Sequence, residues 1–166
     1  MRNNLWLAKQ LGFLLKKYFK DIKISNPIEI KFGREAKYRF GSIRLYGPKH
    51  RTRILNNLFR SGSGTSLALG DRKALGEAPQ KSIVTITSMF AKENIPVDII
   101  RYTIAHELCH YAHGFSSANK RLFRYPHHGG IVNKELTERG AGHLAAVFKK
   151  WLKNYRKQIL SGKVTF

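Results

Sequence analysis

Leu7, Leu11, Leu14, Leu15 and Tyr18 recur at three- and four-residue steps. That spacing predicts an amphipathic helix over about residues 3–20, with Lys9, Lys16, Lys17 and Lys20 on its wetter side. Asn26-Pro27 punctuates the chain, and from Ile28 the period falls to two. Ile28, Ile30 and Phe32 share one face against Glu29 and Lys31, the pattern of a half-buried strand. A second strand is expected from Gly41 to Tyr46 and a third, β-branched one from Ser82 to Phe90. Pro96 stands where a helix can begin, and Val97, Ile100, Ile104, Leu108 and Tyr111 carry the helical repeat up to a stop at Gly114. Ile131, Val132, Leu136 and Arg139 open another helix. A last helix from His143 to Leu160 sets Leu144, Val147, Phe148, Trp151, Leu152 and Tyr155 against Lys149, Lys150, Lys153, Arg156 and Lys157. Between the second and third strands, Arg51 to Arg60 suits a short helix, and the glycine- and serine-rich residues 61–80 read as a flexible insertion. The order predicts an α+β fold, a small antiparallel sheet packed on helices with the 97–113 helix crossing beneath it.

A chain of 166 residues is the size of one domain and can bury a core without disulfides. Its one cysteine, Cys109, forms no internal disulfide, which suits an intracellular, cytoplasmic setting. No apolar run is long enough to span a membrane, so a soluble monomer without membrane contact is expected. Thirty-one Lys and Arg against ten acidic residues leave a formal charge of +21. A field of that sign favours a polyanionic partner, with nucleic acid ahead of membrane because the charge is spread along the chain. Arg34, Lys37, Arg39, Arg44, Lys49, Arg51 and Arg53, interleaved with Tyr38, Phe40 and Tyr46, suit phosphate contact and base stacking, and equally the solvated face of a sheet. Residues 61–66 lack the Gly-Lys-Ser/Thr ending of a phosphate-binding loop.

The chemistry sits on the fourth element. His106-Glu107-Leu108-Cys109-His110 puts two imidazoles on one helix face a turn apart, where both can reach one Zn²⁺. Glu107 lies about 100° round the helix, beside that face, placed to take a proton from water rather than to ligate. This is the zincin-like arrangement of HExxH on a central helix, with one zinc per chain and Glu107 as catalytic base. Cys109 points away and is expected to be packing. A catalytic zinc needs a third protein ligand. Ser116 occupies the position where the metzincin pattern requires a histidine. His113 is too near the helix end to approach the metal without distorting it. His128 is favoured, since it immediately precedes a helix start and Gly129-Gly130 permit close backbone approach. His143 and His127 are the alternatives, with Glu135 or Glu138 behind them. Tyr125 or His127 is a candidate oxyanion stabiliser.

With these residues in this order, the chain resembles the SprT-like (Spartan-like) zinc metallopeptidase family. The likeness runs from the N-terminal helix, through a hairpin like Ile28 to Tyr46 and a strand like Ser82 to Met89, to the HExxH helix and a later His128-Gly129 followed by a helix. The resemblance implies His106, His110 and His128 as ligands and Glu107 as base. Family members are intracellular, and the best-known ones degrade proteins covalently trapped on DNA. A nucleoid- or chromatin-associated metalloprotease acting on DNA-associated or DNA-crosslinked proteins is the implied function. The basic cluster over residues 116–126 and the second histidine at His143 depart from the family pattern. Two other classes share the motif residues: a nucleic-acid-binding domain with a structural zinc, and a metal-dependent nuclease.

Overall fold

Among the described residues, two strands flank a buried third one, and four α-helices surround the sheet. The structure, a computed structural model, describes residues 1–47 and 80–161. Helix α1 (Asn4–Tyr18) is capped by the Asn3 side chain, which accepts the Trp6 N–H at 2.9 Å, and buries Leu7, Leu11 and Leu14. Strands β1 (Ile28–Phe32) and β2 (Gly41–Tyr46) flank β3 (Lys81–Ile86) in the order β1-β3-β2. A 3-10 turn (Ser88–Ala91) leads to α2 (Val97–Ala112), and a second one (His128–Gly130) to α3 (Ile131–Glu138) and α4 (Gly142–Leu160). The helix expected over residues 51–60, most of the insertion over 61–80, and Lys49, Arg51 and Arg53 lie outside the described residues.

The sheet corrects the expectation of an antiparallel hairpin. β1 and β2 do not pair; β3 lies between them, parallel to β1 and antiparallel to β2. Burial gives the reason, because Ser82, Val84 and Ile86 are fully buried while the two flanking strands are mostly half-exposed, so the most apolar face takes the centre. Residues 33–40 wrap over the end of β3. There Gly33 N–H donates to Ile86 O at 2.7 Å, Ala36 N–H to the Thr87 hydroxyl at 2.9 Å, and Thr87 N–H to Phe40 O at 3.0 Å. β3 is also shorter than its β-branched run suggests, because the Thr87 hydroxyl accepts the Met89 N–H and starts a 3-10 turn.

α2 is the central element. It buries Ile99, Ile100, Ile104, Ala105, Leu108 and Tyr111, and touches α1, α3, α4 and the sheet. Pro96 caps this helix from outside instead of occupying its first turn. Its far end is held by side chains. The Tyr111 hydroxyl donates to Asn26 O at 2.9 Å, the Asn26 amide nitrogen donates to Ser82 Oγ at 2.8 Å, and the Ser82 hydroxyl donates to Ser116 O at 2.6 Å. Gly114 ends the helix at φ +78°, where a Cβ would lie 2.4 Å from Lys120 O, so only glycine fits. α4 closes the core with Leu144 and Tyr155 and stacks Phe148 and Trp151 around Phe40. Its basic side chains face outward as its pattern suggests, although Val147 is 40% exposed and not part of the apolar side.

Candidate metal centre

His106 and His110 stand on the same face of α2, with ring centroids 4.8 Å apart and planes nearly perpendicular. The third imidazole beside them is that of His127, 5.2 Å from His106 and 4.6 Å from His110 between centroids. Candidate donor atoms of the three lie within 4.8 Å of one another. Tetrahedral ligands about 2.1 Å from a zinc are roughly 3.4 Å apart, so modest side-chain rotation closes this set onto one ion. The group can therefore hold a metal. His106 Nδ1 and His110 Nδ1 are buried without a protein partner, which suits rings that are completed by something other than protein.

The structure replaces His128, the favoured third ligand, with its neighbour. Side chains of adjacent residues splay apart, so only one of the pair can face α2. Gly129 and Gly130, at φ +60° and +70°, fold the chain sharply into α3, and His127, itself exposed, is the one whose ring joins the trio. His128 is exposed, its ring 6.5 Å from that of Tyr125. His143 opens α4 beside Tyr18, ring centroids 6.2 Å apart, away from the trio. Tyr125 is 53% exposed under the Arg124 guanidinium and does not line the cleft that holds the imidazoles.

Glu107 is buried against β2, held by a backbone hydrogen bond from Ile43. A Cβ at Gly41 would stand 2.9 Å from Glu107 Oε1, so the missing side chain there is the space the carboxylate occupies. Burial pushes the Glu107 carboxyl up to about 7, against the opposing pull of the Ile43 bond and the Arg39 charge. Burial also lowers His106 to about 3 and His110 to about 4, helped by the neighbouring imidazoles. Both rings are thus neutral near pH 7, the form that ligates. Tyr102, a turn before His106, stacks on Phe148 at 4.2 Å and donates its hydroxyl to Asn133 Oδ1 at 3.1 Å.

These groups open into a cleft of about 660 Å³, with β2, an outer strand of the sheet among the described residues, as one wall. Arg39 and Arg44 line it, as does Tyr38, which is 80% exposed. Arg34 and Lys37 are exposed beyond it. Cys109 is buried packing, its thiol pushed well up by burial.

Sequence reasoning missed two features. Gly41 carries no signal, because its role depends on a helix distant in sequence. The second is a polar chain at the C-cap of α2, where His113 pairs with Glu135, Glu135 Oε1 accepts the Arg139 Nε–H at 2.8 Å, and Arg139 reaches Asp21. The four-residue step from Glu135 to Arg139 was its one visible trace. A groove of about 900 Å³ lies over that chain.

No protein-family model matches the sequence, and comparison with curated proteins and with solved structures found no match. Among the described residues, no helix is long and apolar enough to cross a membrane.

Proposed function

We infer that the protein is a zinc metallopeptidase acting on proteins associated with or crosslinked to DNA. The observation that carries the reading is a buried carboxylate, Glu107, held near neutral pKa beside three convergent imidazoles. A bound zinc would polarise the scissile carbonyl and acidify water. His106, His110 and His127 would hold it through neutral rings. Glu107 takes the proton of the attacking water on its carboxylate as oxygen adds to the carbonyl carbon, and returns it to the leaving amine as the C–N bond breaks. Among the described residues Glu107 is the single acid lining the cleft, so that proton has one obvious acceptor. The +21 charge supports a nucleic-acid partner that brings the substrate to the protein.

Three ligands with no fourth among the described residues favour an open catalytic site over a closed structural one. The direct test is Glu107→Gln. Zinc content measured by mass spectrometry should stay near one per chain while cleavage of a DNA-bound basic protein falls by about 10²- to 10⁴-fold. Retained proteolysis, or wild-type protein that takes up no zinc, would overturn the reading. Equal rates with and without DNA would remove the nucleic-acid part alone.

A further inference from the structure

The basic residues singled out in the sequence do not all share one surface. Arg34 and Lys37 lie outside the metal cleft, whereas Arg39 and Arg44 line it together with His106 and Glu107. Arg39 lies two residues before β2 and Arg44 sits within it, so the strand that forms one wall and the segment leading into it carry one arginine each. Among the described residues, neither guanidinium forms a hydrogen bond or an ion pair. Arg2, Arg101, Arg121 and Arg139 are engaged on carbonyl or carboxylate oxygens. Arg34 and Arg156 also form no such bond among the described residues but lie outside the cleft, so what sets Arg39 and Arg44 apart is their place beside His106 and Glu107. Two guanidinium groups without a hydrogen bond therefore line a site whose one acid among the described residues, Glu107, is buried and feels the Arg39 charge.

Resting on the metallopeptidase reading, we propose that Arg39 and Arg44 make the cleft selective for peptide segments with acidic side chains beside the scissile bond. A carboxylate offers two oxygens to the planar fork of a guanidinium, and this fit distinguishes Asp and Glu from neutral residues. Lys or Arg at the same positions meets like charge in a confined cleft. Nucleic-acid phosphate is the competing anion. The cleft favours peptide because these two residues share their wall with the groups that would cut it, whereas a DNA backbone is served by basic residues outside. Activity on a DNA-associated protein would then fall at its acidic stretches.

The experiment uses fluorescein-labelled twelve-residue peptides that differ only at the two central positions, Glu-Glu, Gln-Gln or Lys-Lys. Binding is read by anisotropy on zinc-loaded Glu107→Gln protein, and kcat/KM on protein with Glu107 intact. The Glu-Glu peptide should bind about two- to thirtyfold more tightly than the Gln-Gln one, the range that two exposed charge pairs supply. Arg39→Gln with Arg44→Gln should abolish the preference, and Arg39→Glu with Arg44→Glu should invert it. The change is read as the ratio of KM between peptides, because losing the Arg39 charge beside Glu107 changes kcat for all peptides alike. Equal affinities for all three peptides, or a preference the variants do not alter, overturn the proposal. In that case continued cleavage leaves the peptidase reading standing. Acidic selectivity that follows the arginines without any cleavage supports anion recognition and sinks the peptidase reading instead. If the substitutions weaken only an oligothymidine of fifteen nucleotides and leave peptide selectivity unchanged, the arginines serve nucleic acid and the proposal fails.

Discussion

The C-terminal half of α2 buries histidines in two ways, a reactive stretch at His106 and His110 and a structural end at His113. His106 and His110 have no acidic partner, and each leaves a buried Nδ1 unsatisfied. His113, one turn beyond His110, is equally buried but meets Glu135, and through it Arg139 and Asp21. A buried imidazole without a protein partner is costly in isolation and becomes useful when a cation completes it. His113 also leaves its Nδ1 without a partner, but the carboxylate on its Nε2 ties it to α3 and makes it a joint between helices. Burial acts on Glu135 to raise its pKa, yet the hydrogen bonds from His113 and Arg139 outweigh it and hold the carboxyl below its usual value. Glu107, with one backbone bond and the charge of Arg39 against it, goes the other way. Partner supply, rather than burial itself, separates the reactive end from the structural one.

The largest expected effect breaks the reactive end. His110→Ala and His127→Ala should each weaken zinc binding by more than about 100-fold, beyond the 10- to 100-fold typical of outer-shell partners. His128→Ala should leave it unchanged, and competition with a chromogenic chelator distinguishes the cases. A zinc affinity that follows His128 instead would reassign the third ligand. At the structural end, Glu135→Ala leaves His113 and Arg139 without their shared partner. Chemical denaturation should show a loss of about 3 kcal/mol, the cost of breaking a buried pair, with zinc stoichiometry retained.

A smaller effect follows from pH. In metal-free protein, the depressed pKa values of His106 and His110 mean that only the unfolded chain takes up protons as pH drops below about 6.5. Stability is therefore full above that pH and falls toward pH 4. Glu107 opposes this, since its raised pKa favours the folded state as pH falls from about 7 toward 4.5. One group works against two, so the melting temperature should still decline on acidification, and more steeply in Glu107→Gln. A flat profile in both proteins would mean that these rings are not held neutral by the fold. The smallest effect belongs to His143→Ala, which should change stability by less than about 0.5 kcal/mol and leave zinc content unaltered.

Much of this was legible in residue order. The helical repeats over α1, α2 and α4 emerge where their spacing places them, and the pairing of His106 with His110 follows from the four-residue step alone. Strand order was not legible. Ile28 to Phe32 and Gly41 to Tyr46 alternate as a hairpin would, yet periodicity carries no information about which neighbour a strand takes, and the more apolar β3 displaced their pairing. The choice between His127 and His128 was similarly hidden, because both precede the same glycines and their order does not tell which ring joins the trio.

Local spacing by itself determined the α2 face and the two imidazoles on it, since a helix converts sequence separation directly into direction. It also placed a carboxylate at the next position and a strong positive charge over the whole chain. Tertiary structure alone decided that Gly41 vacates the space filled by Glu107, that His127 completes the trio, and that Arg39 and Arg44 overlook it. Those relations join segments dozens of residues apart. They exist only once the sheet and helices pack, because contact across a core depends on strand order and turn handedness, neither of which any single segment encodes.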